Sequence, residues 1–218
     1  MSLISFMHNC TKAAGPKALA LALILMTAQA ASAAQEQLAA SLRDTRNEVV
    51  ATRDQLQTTV NALDALVKQK EGDLKPPYDE FVAQVTRTQS DAAATKARAQ
   101  KMQADAKTHF GGWQKEIDSI ANEKLRKKGQ KRLDKVEKSY NKAIGQLEEA
   151  GVSFEPYLSD LADVKKILAN DLTRGGIKAI KGTVSKAKFD LSTVRNHIFD
   201  AIKELDSMEK SLSSAANG

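Results

Sequence analysis

At 218 residues, with 28% charged and only 5% aromatic side chains, the chain can bury a sizeable core, but one built with few large rings. Its formal charge of +6 comes from 33 basic and 27 acidic residues, too small an excess in itself to imply a nucleic-acid partner. Cys10 is the single cysteine, so no intrachain disulfide can form, and without a Cys-x-x-Cys-His there is no covalent haem of that kind.

The first predicted element is a secretory signal over residues 1–33. Lys12 and Lys17 precede an apolar run from Ala18 to Met26, and small residues ending in Ala31-Ser32-Ala33 follow. Cleavage is expected near Ala33, with Ala28-Gln29-Ala30 as a competing site just upstream. The competing reading is an uncleaved anchor, but about nine apolar residues fall well short of the roughly 20 that a spanning helix needs. Cleavage removes Cys10, His8 and two lysines, leaving a thiol-free chain of 31 basic and 27 acidic residues, exported to the periplasm or secreted.

Residues 34–213 are expected to form one four-helix coiled-coil domain, with a disordered tail at 214–218. In the first helix, from about Gln35 to Gln69, Leu38, Leu42, Thr45, Val49, Thr52, Leu56, Thr59, Leu63 and Leu66 alternate at spacings of four and three, which puts them on one face. Gly72 and the pair Pro76-Pro77 stop it and start the next.

The second helix carries Tyr78, Val85, Ala92, Ala99, Ala106, Trp113 and Ile120 at sevens. Its alanine-rich middle buries little area, so stability should concentrate near Tyr78/Phe81 and near Phe110/Trp113. Gly111-Gly112 is a place where it could bend.

The third stripe runs from Leu133 through Val136, Tyr140, Ala143, Leu147, Ala150, Phe154, Tyr157, Leu161 and Val164 to Leu168. It keeps register across Gly151 and Pro156, which predicts one kinked helix, with a break near Ala150-Gly151 as the alternative. Asp171, Thr173 and Gly175-Gly176 end it, and a fourth helix carries Ile177, Ile180, Val184, Ala187, Leu191, Val194, Ile198, Ala201, Leu205, Met208 and Leu212. Helices of about 35, 45, 47 and 39 residues would be roughly 50 to 70 Å long. The fold class is therefore all-α, an elongated antiparallel four-helix coiled-coil bundle whose second hairpin, around Ala121 to Gly129, projects beyond the first helix.

That hairpin holds the one marked charge cluster: Lys124, Arg126, Lys127, Lys128, Lys131, Arg132, Lys135 and Lys138, against Glu123, Asp134 and Glu137. Such a cluster can bind an anionic surface such as phospholipid, lipopolysaccharide or acidic polymer. The competing reading is a solvated helix face whose charges pair at i to i+4. His109 and His197 lack the Glu-x-x-His setting of di-iron bundles and read as seam and flank residues, so no metal or cofactor is expected. No serine sits in a Gly-x-Ser-x-Gly turn, and neither glycine pair has the lysine of a phosphate loop. Catalysis and a small-molecule substrate are accordingly not expected.

Leu66-Val67 before Gly72-Asp73-Leu74 and Tyr78, Phe110 with Trp113 and Glu116-Ile117, Leu125-Arg126, Leu133, Tyr140, Glu155-Pro156-Tyr157-Leu158, and Leu168 with Leu172 and Ile177 form a pattern over about Leu42 to Leu205. In these residues the chain resembles a family of exported bacterial coiled-coil proteins of unknown function. The likeness implies a helical fold and export and supplies no site. One departure is the turn before the last helix, Ala169-Asn170-Asp171-Leu172-Thr173-Arg174-Gly175-Gly176, where the family pattern reads Lys-His-Asn-Leu-Asn-Ala-Arg-Ala.

The expectation is a non-enzymatic exported scaffold or interaction protein of the cell envelope, working with a protein partner or by self-association. Peripheral binding to an anionic membrane or envelope polymer through 124–138 is the leading alternative. A third class, a periplasmic holdase chaperone, would need an exposed apolar groove, and the stripes show none.

Overall fold

The structure is a computed structural model that describes residues 16–216, with side-chain surroundings for 32–212. Every regular element among the described residues is helical: α1 (Pro16–Lys68), α2 (Lys75–Ser119), α3 (Glu123–Asn170), α4 (Arg174–Ala179) and α5 (Lys181–Ala216).

α1 begins well before the expected Gln35, because no glycine or proline lies between Lys17 and Glu71 to interrupt it. Residues 1–15 of the expected signal lie outside the described residues, and 16–33 belong to the helix. None of the described helices is long and apolar enough to cross a membrane. At the other end α5 is helical through Ala216, over the first residues of the expected tail, and 217–218 lie outside the described residues.

Each turn follows from local chemistry. Gly72 adopts φ +80° after α1, a conformation that glycine enters without a Cβ penalty. Asp73 Oδ1 accepts the Lys75 amide at 2.9 Å, and prolines occupy the first turn of α2, where no N–H donor is needed. Asn122 caps α3 by accepting the Leu125 amide at 3.2 Å, and Thr173 caps α4 by accepting from Gly175 at 3.1 Å and Gly176 at 3.3 Å. An added Cβ on Gly176 would overlap the Asp171 carbonyl oxygen, so only glycine fits. Arg174 donates to the carbonyls of Gln69 and Gly72, which ties the two turns at this end of the molecule together.

Two stretches that carry helix-weakening residues stay helical, the second as the unbroken stripe predicts. α2 runs through Gly111-Gly112, and α3 runs through Gly151 and Pro156 without a break. The expected single fourth helix is instead divided at Ile180 into α4 and α5, although its stripe residues from Ile177 to Leu212 are all buried.

The long helices pair in reversed order. Between α1 and α2, Gln37 meets Asp105, Asp44 meets Arg98, Thr52 meets Thr95 and Thr59 meets Thr88. From α1 to α5, Arg46 meets Asp206, Gln57 meets Arg195 and Asp64 meets Lys188. α3 and α5 join through Lys142–Glu204 and Asp160–Lys186, and α2 and α3 through Gln114–Gln130 and Tyr78 to the Lys165 carbonyl. The α2–α3 face is the most sparsely packed of these four.

Two apolar clusters result. One, toward the turns at Gly72 and Thr173, gathers Leu56, Leu63, Phe81, Tyr157, Leu161 and Ile180. The other, toward the α2–α3 turn, gathers Leu38, Leu42, Met102, Phe110, Leu133 and Met208. Between them the α2 seam consists of Thr88, Ala92, Thr95 and Ala99, small residues as its composition predicts.

Candidate functional site: the basic face of α3

The α2–α3 hairpin is held by small, close contacts. An added Cβ on Gly129 would meet Ile117 Cγ1 at 3.2 Å, and Gln114 and Gln130 exchange amide hydrogen bonds of 3.0 and 3.1 Å. Gly129, which looks like a poor core residue in the stripe, is thus the position that lets α3 sit against Ile117. Leu133 and Val136 continue the buried face.

Opposite that face stand the basic residues. All eight of Lys124, Arg126, Lys127, Lys128, Lys131, Arg132, Lys135 and Lys138 are exposed. At about 100° per residue, seven of them fall within an arc of about 140°, running about 21 Å along the axis, and only Arg126 lies outside it. Glu123, Asp134 and Glu137 sit at one margin of the arc rather than inside it. Among the described residues Lys127 is the one member that pairs with a carboxylate, Glu123 at 2.6 Å. The pattern of i to i+4 neutralisation that would make this an ordinary solvated face is therefore nearly missing. Lys124 and Arg126 also occupy the first turn of α3, where the positive end of the helix dipole disfavours cations. The arrangement concentrates positive charge in a place where local stability would favour acids.

Asp105, buried, accepts from Gln37 at 2.7 Å and Lys101 at 2.6 Å. Burial would push its carboxyl up, but hydrogen bonds from Lys101, Ser41 and Gln37 outweigh that and hold it below the ordinary range. His109 is buried beside Phe110 and Trp113, its Nε2 has no hydrogen-bond partner, and burial lowers its pKa. His197 contacts Ser153 through Nδ1 at 3.0 Å. Burial, with a smaller contribution from Glu148, pushes the Tyr140 hydroxyl up to about 12. No group of three His, Cys, Asp or Glu side chains that could hold a metal occurs among the described residues.

The apolar stripes gave no sign of a groove, yet the structure has one. Midway along the molecule a cleft of about 590 Å³ opens between α2 and α3, lined by Ala92 and Ala99 on one side and Ile144, Val152, Phe154 and Leu158 on the other. Its cause is the alanine seam: small side chains on α2 do not reach α3, and Val152 is left 74% exposed.

Long helices around two apolar clusters, with a basic face at one end, define an all-α protein. Residues 27–212 match the family described as a protein of unknown function, DUF2959, and the chain belongs to that family. No curated protein and no solved structure matches it.

Proposed function

We propose that this is a non-enzymatic, exported scaffold of the cell envelope that rests on an anionic surface through the basic face of α3. In this reading the four long helices form an elongated antiparallel bundle, with α4 and α5 as one fourth helix bent at Ile180. The signal is removed near Ala33, and the mature chain uses neither cofactor nor small-molecule substrate.

The observation that carries the reading is the alignment of seven cations on one exposed face with one carboxylate pair among them. Each lysine or arginine near an anionic bilayer contributes about 1 kcal/mol at physiological salt, so such a face suffices for reversible docking without an inserted segment. The test is co-sedimentation of the purified protein with anionic and neutral phospholipid vesicles at low and high salt. A variant with Lys127, Lys128, Lys131 and Arg132 changed to Glu serves as control. Binding to anionic vesicles that weakens with salt and disappears in the variant supports the reading. Equal binding by both proteins, or none at all, removes the basic face from the account and leaves a scaffold that meets only protein partners.

A further inference from the structure

The cleft between α2 and α3 and one stripe of α5 carry opposite charges at similar spacing. On the α3 rim, Glu148, Val152 and Glu155 fall within an arc of about 60°, with the two carboxylates about 10 Å apart along the axis. All three are exposed, and neither glutamate has an ion-pair partner among the described residues. On α5, Arg195, Phe199 and Lys203 stand at i, i+4 and i+8, with the two cations about 12 Å apart. Phe199 is 64% exposed, Arg195 makes one neutral contact, to Gln57 Oε1 at 2.9 Å, and Lys203 has no ion-pair partner among the described residues.

Each stripe is an apolar side chain between two charges of one sign, and the signs are opposite. On the facing wall Ala92 and Ala99 leave room for a helix to approach closely, with Lys96, Gln100 and Gln103 as the polar members of that wall and the two glutamates of α3 as its nearest counter-charges in the cleft lining. Pro156 has no N–H to give the Val152 carbonyl, which remains an acceptor without its helical amide partner at the edge of the cleft. The molecule's own α5 cannot fill this space, because it is packed against α1 and α3 through Arg46–Asp206 and Lys142–Glu204.

We propose that the cleft receives the Arg195–Phe199–Lys203 face of a second copy of this chain. Phe199 packs against Val152 and the alanine wall, while Arg195 and Lys203 lie over Glu155 and Glu148. The two surfaces are different patches of one molecule, so the contact is head-to-tail, and each added copy presents a fresh cleft at one side and a fresh α5 face at the other. The assembly is a chain or a ring rather than a two-fold dimer.

Sedimentation velocity on protein purified after expression of the full gene tests this. The weight-average mass is expected to rise more than twofold between about 1 and 100 μM, the range in which small interfaces assemble. Phe199→Ser and Val152→Lys, both at exposed positions, should each stay monomeric with unchanged helical circular dichroism. Mixed in equal amounts, they should form a one-to-one complex that grows no further, since only one cleft and one face remain. If either variant loses helicity, charge exchange replaces it: Lys203→Glu should weaken assembly at least tenfold, and adding Glu148→Lys to the same chain should restore it. A monomeric parent protein at every concentration, or variants that assemble as the parent does, would overturn the proposal and turn attention to a foreign helix or an amphiphile as occupant.

Discussion

Thr59 Oγ1 and Thr88 Oγ1 lie 2.7 Å apart in full burial between α1 and α2, and their roles in the hydrogen bond are unequal. Thr59 also donates to the Gln55 carbonyl at 3.0 Å, whereas Thr88 has Thr59 as its side-chain partner. Thr59→Val therefore strands a buried hydroxyl and should cost about 1–3 kcal/mol, while Thr88→Val costs less and the double change to valine is nearly neutral. A double-mutant cycle in chemical denaturant measures the coupling, and additive single effects would sink the account.

Glycines in this chain divide by what surrounds them. Gly111 and Gly112 are exposed in mid-helix with nothing within 4 Å of an added Cβ, so each change to Ala should stabilise by about 0.5–1 kcal/mol. Gly176→Ala must move the Asp171 carbonyl and should cost about 2–3 kcal/mol, enough to open the α3–α4 turn. Thermal melts of the three variants should give shifts of opposite sign.

His109 should make the fold sensitive to mild acid. Its folded pKa is lowered by burial, so the unfolded chain takes up a proton near pH 6.5 that the folded chain does not. Stability is then complete above about pH 6.5 and declines as the pH falls toward the folded value, by up to 1.36 kcal/mol per unit. His109→Phe removes both this slope and the unpartnered Nε2. Its melting temperature should drop less than the parent's between about pH 7.5 and about pH 5.5, and equal drops would assign the slope elsewhere.

At the start of α3, stability and the proposed function should pull apart. Lys124→Glu places an acid at the positive end of the helix dipole, four residues before Lys128, and should stabilise by about 0.3–1 kcal/mol. The same change should weaken vesicle binding. A variant that is both less stable and still fully bound would contradict both parts of the argument.

Much of the helical pattern can be read from spacing, because burial at intervals of three and four leaves a direct trace. All nine stripe residues named for α1, from Leu38 to Leu66, are buried, as are Ile177 through Leu212 in the last. The start of α1 was not legible, since an apolar signal run and a helix use the same good helix formers. The passage of α3 through Pro156 was legible, because the stripe keeps its register across that residue. The basic cluster was visible as composition, but its alignment on one face and its scarcity of partners needed the helix boundary at Glu123. The cleft was invisible for a simpler reason: an alanine seam reads the same whether the opposite wall touches it or not.

Leu147 packs against both apolar clusters, the one near Gly72 and the one near Phe110, at the level where α2 offers only alanine and threonine to the seam. With so little apolar packing shared between the clusters, the two halves are expected to unfold in separate steps. Amides around Phe110 and Leu133 should exchange as one group and those around Phe81 and Tyr157 as another. A pull at the α2–α3 end should then slacken its own half first, leaving the far half, clasped by Arg174, to hold the chain.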